Sequence, residues 1–137
     1  MKLDVVIIAH AGLADAFVEA IEMVSGPQKN LYAVNFREGD DMIVTGNKLA
    51  ALIQNNGADF TVILADLYGA IPTNSALLAL SKCENVSIVT GVNLLSVIKA
   101  LELNGKDFDT HTILELIERE GRNGVRIITH DELFRTD

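Results

Sequence analysis

A histidine and an aspartate stand at the ends of two apolar runs, and together they are suited to nucleophilic chemistry on an anionic group. His10 ends the run that begins at Leu3, and Asp66 directly follows the run from Phe60 to Ala65. A carboxylate that accepts from one imidazole nitrogen fixes the tautomer and leaves the other nitrogen free as a nucleophile. Such a charge-assisted hydrogen bond contributes about 1.5–3 kcal/mol. Taken singly, either residue is equally well explained as a loop residue bonded to the backbone.

Alternating strand-like and helix-like segments predict a fold that brings His10 and Asp66 together. Four near-continuous apolar runs are typical of strands buried on both faces of a parallel sheet: residues 3–9, 31–36, 60–65 and 85–90. Helical spacing between them predicts one helix in each crossover, hence an open α/β sheet, mostly parallel, with helices on both faces. In a sheet of order 2-1-3-4, strands 1 and 3 are neighbours, and His10 and Asp66 meet where the winding reverses.

The loop after Asp66 carries the candidate phosphate-binding residues. It reads LYGAIP, and its Pro72 suits the first turn of the helix that follows. Two helix N-termini, one after His10 and one after Pro72, therefore point at the same place and offer free N–H groups to an anion. The backbone N–H groups that we expect to cradle phosphate oxygens are those of Gly69, Ala70, Ile71 and Thr73.

The amino-acid composition limits the kinds of function that this protein can have. The 137 residues form one predicted domain, residues 1–137, and the hydrophobic share of 49% is that of an ordinary globular protein. The formal net charge of −8 disfavours a nucleic-acid or anionic-membrane surface. Cys83 is the only cysteine, so no internal disulfide is expected. No metal-ligand spacing, GxGxxG or P-loop is present, so we expect no metal or cofactor. No signal peptide opens the chain, which predicts a soluble cytoplasmic protein.

The remaining polar residues have weaker claims to a site. His111 is interpreted as a cap or surface residue, and His130 as a solvated residue with a dimer contact as the alternative. Asp40 and Asp41 fit the first turn of a helix, where the dipole favours acids. Thr90 ends the fourth strand, where lining the edge of the site and packing are equally good explanations.

The C-terminal region predicts one more strand. Residues 124–129 read GVRIIT, and Arg126 within them suits an edge position. Residues 130–137 are interpreted as a polar tail. An exposed edge invites pairing, so this strand either pairs within its own subunit or crosses to a partner's sheet in a two-fold dimer.

Three ordered segments carry a family resemblance: VVIIAHAGLADAF, LADLYGAIPTNSA and VTGVNLLSVIKAL, with GRNGVRI near the C-terminus. The chain resembles the IIA component of the mannose/fructose/sorbose family of the phosphoenolpyruvate-dependent sugar phosphotransferase system. The resemblance covers nearly the whole chain. It places His10 at the phosphoacceptor histidine and Asp66 at the carboxylate paired with it.

The resemblance implies a phosphotransferase and its partners. Phosphate would pass from phospho-HPr to His10 and then to a IIB component, serving indirectly the IIC and IID membrane components of sugar uptake. The resemblance also implies a homodimer whose last strand is exchanged between subunits.

Three positions depart from the family pattern. Ala11 stands where the family commonly has glycine, Ile71 where a small hydroxyl residue often occurs, and Thr73 where an apolar residue is usual. These departures leave the His–Asp pair untouched, but they weaken the expectation of a side-chain hydroxyl contact to phosphate.

Three other functions fit part of the same pattern. The first is a regulatory domain that only senses phosphorylation of the same histidine. The second is the phosphotransfer subunit of a dihydroxyacetone kinase, whose glycine-serine loop matches DLYGAIPTN less well. The third is a response-regulator receiver, which requires an acidic pair where this chain has Ala9 and His10.

Overall fold

The apolar runs form a four-stranded parallel sheet. The computed structural model describes residues 1–133. The strands are β1 (Leu3–His10), β2 (Leu31–Phe36), β3 (Phe60–Ala65) and β4 (Val86–Thr90). Their order is β2-β1-β3-β4, and every neighbouring pair is parallel. The predicted order 2-1-3-4 is therefore confirmed, and the two central strands are almost entirely buried, as continuous apolar runs require.

Helices cover both faces of the sheet. They are α1 (Leu13–Ser25), α2 (Met42–Asn56), α3 (Ile71–Lys82), α4 (Leu94–Glu102), α5 (Thr110–Asn123) and the short α6 (His130–Leu133). Alternate β1 residues point to opposite faces, because side chains along a strand alternate. Val5 and Ile7 pack with α1, α4 and α5, whereas Val6 and Ile8 pack with α2 and α3.

Helix ends follow local capping chemistry. The Asp41 carboxylate caps α2 by accepting from the N–H groups of Ile43 and Val44. Asn93 and Ser96 form a reciprocal capping box at the start of α4. These caps satisfy N–H groups that have no partner inside the helix.

Helices α2 and α3 approach each other closely at Gly46. A Cβ added there would lie 2.8 Å from the Ser75 carbonyl oxygen and 2.8 Å from Cδ2 of Leu78. Glycine therefore lets the two backbones pack without a side chain between them.

The C-terminal strand does not pair within its own subunit, which was one of the two expected arrangements. Residues 125–129 form no strand in the single chain, so within residues 1–133 the sheet has four strands rather than five. Val125 and Ile127 are each 82% exposed. Apolar β-branched residues favour a strand only where a neighbour packs against them, and within residues 1–133 these two side chains stay exposed. The predicted polar tail begins as α6, while residues 134–137 lie outside the described residues.

No helix within residues 1–133 combines the length and the apolar character that crossing a membrane requires.

Candidate functional site

The sheet register brings His10 and Asp66 into direct contact. His10 is the last residue of β1, and Asp66 follows β3, whose last residue, Ala65, pairs with Ile8. The His10 Nδ1 lies 2.7 Å from Asp66 Oδ2. The same oxygen accepts the backbone N–H of His10 at 3.0 Å, and Oδ1 accepts the N–H of Leu67 at 3.0 Å. The carboxylate is thus fixed by three donors at the carboxyl edge of the sheet.

Electrostatics keep the Asp66 carboxylate ionised. Its side chain is only 11% exposed, and burial by itself raises its pKa. The hydrogen bonds from the His10 backbone and ring, and that from Leu67, outweigh burial and hold the pKa of Asp66 below its usual value.

An ionised Asp66 can only accept a hydrogen bond, so we assign the ring proton of neutral His10 to Nδ1. The other ring nitrogen, Nε2, then carries a free lone pair. The His10 side chain is 47% exposed, which gives a reactant access to the ring. The pair therefore has the arrangement of an oriented nucleophile.

The chain turns sharply after His10. Ala11 has φ = +51°, a left-handed conformation that a residue with a Cβ rarely adopts. Its N–H donates to the Phe36 carbonyl at 2.8 Å, which extends the β1–β2 pairing by one residue. Gly12 then begins α1 without a side-chain cap. The Asn35 Oδ1 accepts the Asp15 N–H at 3.2 Å, so the first-turn donors left close to His10 are the N–H groups of Leu13 and Ala14.

The predicted phosphate-binding residues lie in the loop before α3 and in its first turn. Gly69 turns the chain with φ = +75°, and Ala70 occupies the N-cap position without a side-chain cap. Ile71 is 51% exposed. Thr73 is buried, and its hydroxyl donates to the Leu67 carbonyl. That hydroxyl therefore braces the loop, while backbone N–H groups remain the candidates for phosphate contacts.

A cleft of about 300 Å³ opens beside His10. Its lining residues are His10, Ala11, Phe36, Arg37, Glu38 and Ile71. Arg37 brings a positive charge to this cleft, although no sequence motif points to it. The available signal was its position directly after strand 2, which neighbours strand 1 in the predicted order.

The other polar candidates are not brought to this cleft. Thr90 and His111 line a separate groove of about 600 Å³ between β4 and α5. His111 lies in the first turn of α5, where its Nε2 is 3.0 Å from Oε1 of Glu115. The Asp40 carboxylate accepts the backbone N–H of Arg37, so it shapes the loop.

Cys83 follows the end of α3 and is half-buried. Burial raises the pKa of its thiol. A thiol with a raised pKa is a poor nucleophile at neutral pH, which fits the structural interpretation of this residue.

Comparisons with known proteins find relatives among EIIA components of sugar phosphotransferase systems. The sorbose-specific EIIA component of Lacticaseibacillus casei is 26% identical over 92 residues, which cover 67% of this chain and 67% of that protein. The mannose-specific EIIAB component of Escherichia coli K12 is 25% identical over 129 residues, which cover 93% of this chain. The match spans only 40% of that relative's length.

Solved structures share the fold. The mannose/sorbose specific IIA subunit from Enterococcus faecalis has a TM-score of 0.80 at 25% identity and covers 94% of this chain and 96% of that one. The IIA protein associated with the fucose utilization operon of Streptococcus pneumoniae has a TM-score of 0.81 at 17% identity, with 98% of both chains covered.

A protein-family model named EIIA-man, described as "PTS system fructose IIA component", matches residues 4–118, which is most of the chain. Its span includes both His10 and Asp66. This protein therefore belongs to the EIIA-man family of phosphotransferase-system IIA components.

Proposed function

We propose that this protein is a phosphohistidine carrier that accepts phosphate from phospho-HPr on His10 and passes it to a IIB component during sugar uptake. The observation that carries the proposal is the 2.7 Å contact between His10 Nδ1 and Asp66 Oδ2, which leaves Nε2 free beside an open cleft. Family membership supports phosphotransfer as the reaction class.

The proposed step is a direct exchange between two nitrogens. The Nε2 lone pair of His10 attacks phosphorus, the bond between phosphorus and the donor histidine nitrogen breaks, and that electron pair returns to the donor ring. The Nδ1 proton stays on His10 and is shared with Asp66. The carboxylate stabilises the positive charge that grows on the ring as the new bond forms.

Backbone groups complete the proposed phosphate site. Neither Gly12 nor Ala70 supplies a side-chain cap, so α3 keeps its first-turn donors for an anion. In α1 the Asp15 N–H is taken by Asn35, which leaves the N–H groups of Leu13 and Ala14. Gly69, Ala70, Ile71 and Thr73 are the residues whose N–H groups we assign to the phosphoryl oxygens. In this assignment side-chain hydroxyls play no part, because the Thr73 hydroxyl is engaged by Leu67.

The proposal includes a homodimer. Val125, Ile127 and Ile128 are apolar and exposed, and β4 is an edge strand of the sheet within residues 1–133. Pairing of this segment with a partner's sheet would hide both surfaces by reciprocal exchange. The IIC and IID membrane components would be reached only through the IIB component.

The test has two stages. Incubation with phosphoenolpyruvate, enzyme I and HPr should label His10 with a phosphate that is acid-labile and stable in base, whereas the His10→Ala variant should stay unlabelled. The labelled protein, freed of HPr, should then transfer phosphate to a mannose- or sorbose-type IIB component. Labelling of His10→Ala to the wild-type level contradicts the proposal. Labelling of His10 without transfer to any IIB component favours the phosphorylation-sensing alternative.

A further inference from the structure

Arg37 is carried to the candidate phosphate site by the pairing of two strands. The β1–β2 register aligns His10 with Phe36, and the Ala11 N–H donates to the Phe36 carbonyl. Arg37 is therefore the first residue beyond β2 at the same edge of the sheet. Its guanidinium lies against Gly12, with Nη2 3.3 Å from the point that a Cβ on Gly12 would occupy.

A tight turn holds the Arg37 backbone and leaves its charge available. The Arg37 N–H donates to Oδ2 of Asp40 at 2.8 Å, and the Asp40 N–H donates to the Arg37 carbonyl at 3.0 Å. Gly39 closes the turn with φ = +90°. The Asp40 carboxylate is thus used on the main chain. Within residues 1–133 the Arg37 guanidinium forms no ion pair.

Electrostatics make such a cation useful here. The protein carries a formal net charge of −8, which repels a phosphoryl donor as a whole. Glu38 lines the same cleft and adds to that repulsion. A guanidinium beside His10 offsets both effects locally, because its planar fork of N–H donors matches two phosphoryl oxygens at once.

We infer that Arg37 is a phosphoryl-binding residue whose guanidinium donates hydrogen bonds to the phosphoryl oxygens during transfer to Nε2 of His10. The inference rests on the proposed function, since it concerns the same histidine. It adds a side-chain donor, from the β2 end, to backbone donors that come from α1 and α3. Because the guanidinium acts on the phosphoryl group itself, it should act on any phosphoryl donor, protein or small molecule.

A small donor separates this effect from protein docking. Phosphoramidate transfers its phosphoryl group when Nε2 of His10 attacks phosphorus, the P–N bond breaks, and the nitrogen leaves as ammonia with the protons it carries. The rate constant for labelling His10 is measured by mass spectrometry in wild type, Arg37→Gln and Arg37→Lys. The matched control is Arg119→Gln, which removes the same charge from an exposed position of α5.

We expect Arg37→Gln to label about tenfold more slowly than wild type, the scale of one lost charge-assisted hydrogen bond. Arg37→Lys should fall between the two, and Arg119→Gln should match wild type. In wild type, phosphorylation should also shift the NMR signal of the Arg37 Nε–H group. The unfolding midpoint should not change, because Arg37 is exposed.

An Arg37→Gln rate within twofold of wild type overturns the inference. An equal loss in Arg119→Gln also overturns it, because the effect would then report net charge alone. Labelling by phospho-HPr tests the proposed function separately. If wild type accepts phosphate from phospho-HPr but Arg37→Gln reacts normally with phosphoramidate, the proposed function stands and the role of Arg37 is contradicted. A His10 that neither reagent labels contradicts both.

Discussion

A single oxygen of Asp66 holds both the backbone and the ring of His10. Oδ2 accepts the His10 backbone N–H at 3.0 Å and contacts ring Nδ1 at 2.7 Å. The backbone contact fixes where β1 ends relative to β3, and the ring contact fixes which way the imidazole faces. One carboxylate therefore links the geometry of the sheet edge to the orientation of the nucleophile.

Replacing Asp66 with asparagine should separate these two roles. The amide oxygen of the asparagine can still accept a backbone hydrogen bond, but the side chain carries no charge to stabilise the growing imidazolium. We expect the Asp66→Asn variant to fold and to accept phosphate from phospho-HPr about 10²–10⁴-fold more slowly, the scale of a positioned acid–base group. Rapid-quench labelling measures the rate, and circular dichroism checks the fold. A wild-type rate would show that Asp66 is only a loop carboxylate.

Removal of divalent metal should leave transfer unchanged. Within residues 1–133, no group of three His, Cys, Asp or Glu could hold a metal ion. Helix N-termini can carry the phosphoryl charge instead. We expect EDTA to have no effect on transfer from purified phospho-HPr, measured with and without added Mg²⁺. Abolition by EDTA would restore weight to the receiver-like alternative.

Asp4 should make stability fall as pH rises. It is 2% exposed in β1, and its Oδ2 has no hydrogen-bond partner. Burial raises its pKa, against the opposing effects of Lys2 and Asn56. The folded state therefore binds this proton more tightly than the unfolded state, and stability is lost as pH rises from the ordinary Asp pKa through the raised one.

The Asp4→Asn variant lacks this ionisation. We expect it to be more stable than wild type by about 1 kcal/mol at neutral pH, because a buried neutral amide costs less than a buried charge. The difference should vanish in acid, below the ordinary Asp pKa. Urea unfolding across the pH range measures it. Asp107→Asn, at an exposed loop position, serves as the control and should show no such trend. A pH-independent difference would contradict the explanation.

Replacing Ala11 with glycine should stabilise the protein, although glycine destabilises most other positions. Its φ of +51° costs an alanine roughly 1–2 kcal/mol, and glycine escapes that cost at a smaller entropic loss. We expect Ala11→Gly to raise the free energy of unfolding by about 0.5–1 kcal/mol. Ala70→Gly is the matched control, because Ala70 has φ = −87° and glycine there should only destabilise. Equal effects would refute the conformational argument.

The dimer is tested at Ile127, which is 82% exposed in the single chain. If residues 125–129 pair with a partner's sheet, Ile127→Asp places a charge in that interface and should convert a dimer to a monomer at micromolar concentration. Sedimentation measures the change. Met23→Asp, at a 90% exposed position of α1, is the control and should remain dimeric. A wild-type protein that sediments as a monomer contradicts the prediction.

The sheet was predictable because its signal is local and repeated. Continuous apolar runs and one helix per crossover leave few topologies, and the observed order follows. The contact of His10 with Asp66 then depends only on which strands are neighbours.

Other features depend on contacts that no pattern encodes. The Arg37 backbone is held by the turn with Asp40, and the Thr73 hydroxyl is held by the Leu67 carbonyl. Neither contact produces a periodic sequence pattern from which it could be predicted. Residues 125–129 have the composition of a strand, but a strand forms only beside a neighbour that packs against it, and local composition does not specify that neighbour.

The close approach of α2 and α3 limits which substitutions at position 46 leave the position of α3 unchanged. A methyl group at Gly46 would press on the Ser75 carbonyl, one turn after Ile71, where α3 begins. A helix moves nearly as a rigid rod, so a displacement at Ser75 carries through to Ala70. A substitution at Gly46 can therefore leave the protein folded and still move the proposed phosphate-binding loop relative to His10, although residue 46 does not contact that loop.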